Sequence, residues 1–415
     1  MPCQIPYFLS IIMGLEPKIL HINNFCHRAG GTEIYIDRVT RKLQELGYDV
    51  SLLFYVQTPS STEVIDCPKI FLSGIDNSDE QGFVNSAIDI LKKGKFDIAY
   101  IHNVFNFNLI EALGEIIPVI KFVHDHRFYC PGGAKYLSLF KRGCRLRYNP
   151  LRCFFMAYLT KCAMRHPQKL IERITHCSNS LSRKNLFDEF IVFSHAMGNN
   201  LKQNGIGDKN ITVTNHFPHY IPSAVSKKDR SMLLYAGRIS REKGVDYLLD
   251  AVAGLEIDYK LIIAGDGYYL PEIKKKASRL GVLNRIELKG WLKENELNDY
   301  YDRAAVLVFP SLWPEPFGMA GIEAMAHGTP VVAFNTGAVS EWLIDRETGF
   351  LVKPGDVLKM RERIELLLRN EKLAHDMGIA GRDLAEKQFS IEKHIKDLTI
   401  ATSEAIKRYH VWTGN

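Results

Sequence analysis

The chain has 415 residues, 46% hydrophobic and 24% charged, and its 53 Lys and Arg against 47 Asp and Glu give a formal net charge of +6. That composition fits a soluble globular protein of two or three domains; it excludes disorder, collagen and coiled coil as descriptions of the whole chain. Eight cysteines without one Cys-x-x-Cys pair are too sparse for a disulfide scaffold and fit a reducing, cytoplasmic setting.

The apolar run from Ile5 to Leu15 is too short to span a bilayer and follows no basic residue, so it makes a poor signal peptide; Met13 is as natural a start as Met1. PKILHINNF reads as a strand ending near Asn23 and CHRAGGTE as a loop. TEIYIDRVTRKLQELG reads as a helix, with Ile34, Ile36, Val39, Leu43 and Leu46 near helical spacing and Gly47 as its stop. YDVSLLFY is a further buried strand. Strand, glycine-bearing loop, helix and strand open a Rossmann-like unit. Short apolar runs then end at His102, His124 and His195, so Asn23 and three histidines stand at the carboxyl ends of strands, where open parallel sheets collect ligands. Residues 131–188 lack strand alternation and read as a helical insert. ITVTNHF (211–217) closes the first half, and the polar stretch 218–231 reads as a linker.

From MLLYAGR (232–238) onward the chain alternates regularly between strand and helix through TGFLVKPGD, which predicts a second doubly wound α/β unit, and a long helix over 391–409 follows. The expected organisation is a first domain over 1–222, a second over 223–388, and a terminal helix within 389–415.

Three features in the second unit carry chemistry. In GRISREKG, Arg238 follows a strand end and Lys243 lies five residues on, an arrangement that suits a diphosphate or an ordinary solvated turn. In SLWPEPFGMAGIEAMAHGTPVV, Pro314 and Pro316 keep Glu315 out of a helix. Gly318 admits a close backbone approach, and the helix opening near Met319 offers free N–H groups to an anion. Glu323, eight residues after Glu315, points along the same cleft as an acceptor for vicinal hydroxyls. AGDGYY and GWL follow strand ends and suit either a flat base pocket or simple turns.

The pattern GR-x4-K-G, AGDG, PE-PFG-x4-E and GTPVVA resembles family 4 of the glycosyltransferases over about Lys18 to Tyr409. The resemblance implies the GT-B fold, two Rossmann-like domains facing across a cleft, and retaining transfer of a sugar from a nucleotide-diphosphate donor. It assigns Glu315 to the sugar hydroxyls, Glu323 to the ribose and Arg238 and Lys243 to the diphosphate. Gly30 and Gly31 become a backbone approach to that diphosphate, His124 a neighbour of the transferred sugar, and Phe317, Gly318 and Met319 a donor clamp. Glu341 matches a family glutamate without a clear role, and the terminal helix resembles one that crosses back to the first domain. No metal or other cofactor is expected: the cations and the helix N-terminus would stabilise the leaving diphosphate, and no Asp-x-Asp occurs. With no nucleophilic carboxylate evident in the first unit, front-side transfer is the expected route.

Other readings are a nicotinamide dehydrogenase, opposed by the missing G-x-G-x-x-G, a nucleotide-sugar isomerase, and a non-catalytic saccharide-binding protein. Cys130, Cys144, Cys153 and Cys162 in the insert admit zinc or buried reduced thiols. Between Lys141 and Lys184 there are eleven Lys and Arg against one acid, Glu172. With the interleaved aromatics, that run suits an anionic membrane face or a lipid-linked acceptor, or an ordinary solvated surface, and gives no reason for nucleic acid. The acceptor expected is a glycan or a lipid-linked molecule.

Overall fold

The computed structural model describes residues 16–27, 30–56, 65–72 and 80–413. The apolar run ending at Leu15 and the alternative start at Met13 lie outside the described residues. The first half contains β1 (Ile19–Asn23), α1 (Gly31–Glu45), β2 (Val50–Phe54), β3 (Lys69–Phe71), α2 (Glu80–Gly94), β4 (Ile98–Ile101), α3 (Phe107–Gly114) and β5 (Val119–Val123). A two-stranded hairpin follows, β6 (Tyr136–Leu137) and β7 (Arg142–Gly143), then α4 (Pro150–Thr160), α5 (Pro167–Ser182), β8 (Glu189–Val192), α6 (His195–Gln203) and β9 (Ile211–Val213). The hairpin corrects the expectation that 131–188 holds only helix and loop. Its strands are two residues long, too short for alternation to register.

Seven strands form one sheet in the order β3-β2-β1-β4-β5-β8-β9, and every pairing is parallel. The inner strands β1, β2, β4, β5 and β8 are buried at every position, and Ile98–Ile101 is apolar but for the Tyr100 hydroxyl. The strand order reverses between β1 and β4, so the crevice above that pair is the natural ligand site.

The second sheet begins at β10 (Asp229–Ala236), three residues earlier than expected, because its polar start is only half-buried at the sheet's lower edge. It continues with α7 (Val245–Val252), β11 (Lys260–Ala264), α8 (Leu270–Arg279), β12 (Ile286–Gly290), α9 (Glu294–Arg303), β13 (Ala304–Phe309), α10 (Met319–Ala326), β14 (Val331–Phe334), α11 (Val339–Trp342) and β15 (Gly349–Val352). The order β12-β11-β10-β13-β14-β15 is again wholly parallel and reverses between β10 and β13. Helices α12 (Val357–Arg369) and α13 (Glu371–Gln388) cover this sheet.

The last helix, α14 (Ile391–Thr413), lies against the first half. His394 Nδ1 donates to the Asn215 carbonyl at 2.8 Å, and its Nε2 accepts from Tyr35 Oη at 2.9 Å. Thr402 bonds Tyr100 of β4, and Arg408 pairs with Glu189 of β8. Since Ala385 of α13 and Leu398 of α14 belong to one apolar core with Ile36 and Met325, the two sheets share a hydrophobic seam at the crossover.

Candidate functional site

Both strand-order reversals open on one cleft. On the second side, Lys243 sits in a single helical turn after β10. Its Nζ lies 2.7 Å from Glu315 Oε1 and 4.9 Å from the Trp313 ring centroid. The turn is fixed to the loop after β13: the N–H groups of Leu312 and Trp313 both donate to the Glu242 carbonyl, at 2.8 and 3.2 Å. Gly244, with φ +68°, follows because a Cβ there would stand 2.0 Å from the Pro310 carbonyl oxygen.

The loop that carries Glu315 is held from both halves of the molecule. Four successive carbonyls accept hydrogen bonds: Pro314 from His126 Nε2 (2.7 Å), Glu315 from Ala338 N (3.0 Å), Pro316 from Ser194 Oγ (2.6 Å) and Phe317 from Trp342 Nε1 (2.6 Å). The two prolines therefore face the first half and Glu315 and Phe317 face the second. Proline suits this stretch, since its two missing N–H groups leave nothing else to satisfy. Gly318 has φ +115°, and a side chain there would also press on the Trp342 indole. Met319 then opens α10, whose first N–H groups are those of the 318–320 segment.

One turn into α10, Glu323 accepts from Tyr301 Oη at 2.9 Å and His219 Nδ1 at 2.8 Å. Burial works to raise its carboxyl pKa, but His219, Tyr301 and the nearby Arg38 outweigh it and hold the pKa below the usual range. Arg38, on α1 of the first half, donates to the His219 carbonyl at 2.7 Å and pairs with Glu294.

On the first side, three histidines step across neighbouring strands: His21 in β1, His102 after β4 and His124 after β5. His21 Nδ1 is 2.8 Å from His102 Nε2, and His102 Nδ1 is 3.0 Å from His124 Nε2. Burial keeps all three rings neutral, with His21 and His124 pushed down to about 3 and His102 well below the ordinary range. The inner end decides the sense of the chain. His21 Nε2 is buried without a partner among the described residues, and an unpaired lone pair is cheaper there than an unpaired N–H. Each ring therefore donates outward, and His124 carries its proton on Nδ1, as an N–H donor with no protein partner among the described residues. Lys121, buried beneath, donates to the carbonyls of His102 and Val104, and burial lowers its pKa to about 7.

Gly30 precedes α1 in extended conformation (φ 178°), and a Cβ at Gly31 would meet nothing within 4 Å. Neither glycine is demanded by packing among the described residues: a Cβ at Gly30 would make only an ordinary 3.7 Å contact with Glu33 Oε2, and the space beside Gly31 is open among those residues. Arg238 is exposed, and its guanidinium has no hydrogen bond or ion pair among the described residues. Apart from Arg238, which stands alone, the expected site residues fall into three groups: Lys243 and Glu315 in direct contact, Phe317 to Glu323 on one loop and helix, and His124, Gly30 and Gly31 on the first half.

His195, expected at a strand end, instead begins α6, because β8 stops at Val192 and Ser194 caps the helix by accepting from Met197 N at 3.1 Å. Sequence reasoning also missed Trp342, which bonds Phe317 within the second half, and His126 and Ser194, whose bonds form only when the halves meet. Glu341, left without a role, accepts from the N–H groups of His195 and Ala196, both at 2.7 Å, so it caps a helix of the opposite half. Cys130, Cys144, Cys153 and Cys162 line one cavity with Lys135, and among the described residues no three His, Cys, Asp or Glu side chains are placed to hold a metal ion.

The family model described as Glycosyl transferases group 1 matches residues 217–384, which contain Arg238, Lys243, Glu315 and Glu323. The chain is 25% identical over 389 residues to an uncharacterized glycosyltransferase of Methanocaldococcus jannaschii, covering 91% of this chain and 95% of that one. The chain has the GT-B fold, and residues 217–384 match a glycosyltransferase family. This fold matches HepE of Anabaena, solved with UDP, at TM-score 0.70 and 17% identity over 93% of this chain and all of HepE. It also matches the lipopolysaccharide outer core galactosyltransferase WaaB at TM-score 0.68 and 17% identity, over 93% and 99% of the two chains. Among its described residues no helix is long and apolar enough to cross a membrane.

Proposed function

We propose that this enzyme is a retaining, metal-independent, family 4 transferase that moves a sugar from a nucleotide diphosphate to a glycan or lipid-linked acceptor at the cytoplasmic membrane face. The observation that carries the reading is the Lys243–Glu315 contact at the mouth of α10, 2.7 Å long and locked by four carbonyl bonds. A lysine held against a buried carboxylate beside a free helix N-terminus offers one cation and several N–H groups to a leaving diphosphate, and one acceptor to sugar hydroxyls.

In this reading Arg238 and Lys243 meet the diphosphate with the backbone of Gly30, Gly31, Phe317, Gly318 and Met319. Glu323, kept ionised by His219 and Tyr301, accepts from the ribose hydroxyls. His124 donates its Nδ1 proton to a hydroxyl of the transferred sugar; a ring so oriented and so hard to protonate is not a general base. As the anomeric bond breaks, charge grows on the departing phosphate, which takes the acceptor's proton on the same face and so preserves configuration. The exposed guanidinium of Arg238 and the open space at Gly31 support ligand contacts that the protein alone does not explain. Surface polysaccharide or glycolipid synthesis would use such a reaction, and the cations of 141–184 suit association with an anionic membrane. Thermal-shift measurements with UDP-, GDP- and ADP-sugars test the reading: one class should raise the melting temperature and the Glu323→Ala variant should lose that rise. No shift with any of them would refute it.

A further inference from the structure

Helix α4 has the wrong face outside. Its inner side is accounted for: Ala157 and Thr160 are buried, and Cys153 and Met156 line the cysteine cavity. A surface helix should then turn polar residues outward. Instead Leu151, Phe155 and Leu159, at i, i+4 and i+8, are 73%, 63% and 66% exposed. The loop before β7 extends this strip. Leu139 N donates to the Thr160 carbonyl at 2.9 Å, which pins the loop beside the end of α4, and Leu139 and Phe140 are both more than half exposed. Single exposed leucines are ordinary, but five large apolar side chains on one short helix and its neighbouring loop are not.

The charges of the same insert have a matching peculiarity. None of the eleven Lys and Arg between 141 and 184 forms an ion pair with a carboxylate among the described residues, whereas such pairs are frequent elsewhere on the surface, as at Arg369–Glu365 and Lys359–Glu362. Arg142 lies instead over the Phe140 ring, 5.5 Å from its centroid. An apolar strip on an insert rich in cations without carboxylate partners, one of them stacked on Phe140, is complementary to a surface that is oily within and anionic at its rim.

We propose that the outer face of α4, with the 139–140 loop, inserts into the headgroup and upper acyl region of an anionic lipid bilayer. The charged rim supplies attraction, and Leu151, Phe155 and Leu159 supply apolar burial. The same insert touches the transfer site: Gly143 of β7 packs so close to Pro314 that a Cβ there would lie 2.8 Å from Pro314 Cγ. The membrane would therefore lie beside the mouth of the cleft next to Glu315, where a lipid-linked acceptor could present its sugar without leaving the bilayer. The inference deepens the proposed function by naming the surface that meets the lipid, but its evidence does not depend on the donor site.

The test uses the full chain with vesicles of phosphatidylcholine alone or mixed with phosphatidylglycerol. The unmodified protein should sediment with the anionic vesicles. In the Phe155→Trp variant, brominated acyl chains should quench added fluorescence relative to the parent protein. The combined Leu151→Asp, Phe155→Asp and Leu159→Asp variant should bind at least tenfold more weakly while keeping its circular dichroism and any melting shift with nucleotide sugar. Absence of binding to anionic vesicles at low salt would overturn the proposal. So would equal binding by the triple variant, or bound Phe155→Trp protein that bromolipid fails to quench. A parent dimer that the triple variant converts to monomer, without vesicle binding, would instead make a second copy the occupant. Failure with vesicles alongside an intact nucleotide-sugar shift would leave the transferase reading standing; the reverse pattern would remove that reading and keep the membrane surface.

Discussion

Acidification from pH 7.5 to pH 5 should loosen the first half of the molecule before the second. Burial holds six histidines there as neutral rings: His21 and His124 are pushed down to about 3, His126 and His394 to about 4, and His102 and His216 well below the ordinary range. A histidine whose folded pKa lies below the 6.5 of the unfolded chain binds protons preferentially when unfolded. Its contribution is complete above pH 6.5 and is lost as the pH falls toward the folded value. At pH 5 an unfolded ring is protonated by roughly thirty to one, which costs the folded state about 2 kcal/mol per histidine. The four rings with assigned values together cost about 8 kcal/mol, comparable to the whole stability of a domain. Asp188 and Glu189, raised by burial, oppose this and trim it at the acid end. For a unit of about 200 residues the loss corresponds to a melting temperature lower by on the order of 20 °C. Thermal melts by circular dichroism at pH 7.5, 6.5, 5.5 and 5 measure it directly. The His394→Phe variant, which keeps a ring but cannot titrate, should melt lower than the parent at pH 7.5 and show a smaller drop by pH 5. A melting temperature at pH 5 within about 2 °C of that at pH 7.5 would refute the reasoning, because the buried rings would then not be neutral.

Trp342→Phe removes the only described partner of the Phe317 carbonyl and should cost about 1–3 kcal/mol, read as a melting shift, with a higher KM for the nucleotide sugar because the loop ahead of α10 loosens. Glu341→Gln replaces a charge-assisted cap across the cleft and should lower kcat more than it lowers stability; equal kcat would show that the α6 contact does not matter for turnover. Glu323→Ala should weaken nucleotide-sugar binding about ten- to a hundredfold, whereas Glu315→Ala should chiefly lower turnover, and full activity of the Glu315 variant would remove it from the site.

Much of the architecture was legible in the amino-acid sequence, because apolar runs, glycine stops and loop chemistry are local. The buried runs of β1, β4 and β5 and the alternation from Met232 onward specify two parallel α/β units, and Pro314 to Met319 announces an irregular loop feeding a helix N-terminus. Local signals failed where an element is too short for a period to develop, as in β6 and β7, or where a cap outweighs the apolar run, as at Ser194 before α6. What the sequence could not express is partnership across distance. Lys243 and Glu315 are 72 residues apart and read as separate functions until the turn and the loop meet at 2.7 Å. Glu341 acquires a role only because the second half brings it to the first turn of α6, and the proton on His124 is placed by His21, 103 positions earlier and buried beneath it. These relations depend on which strands neighbour one another and how the two sheets face. Hydrogen bonds and ion pairs between remote residues exist only after that long-range choice is made, so they leave no periodic trace in the chain.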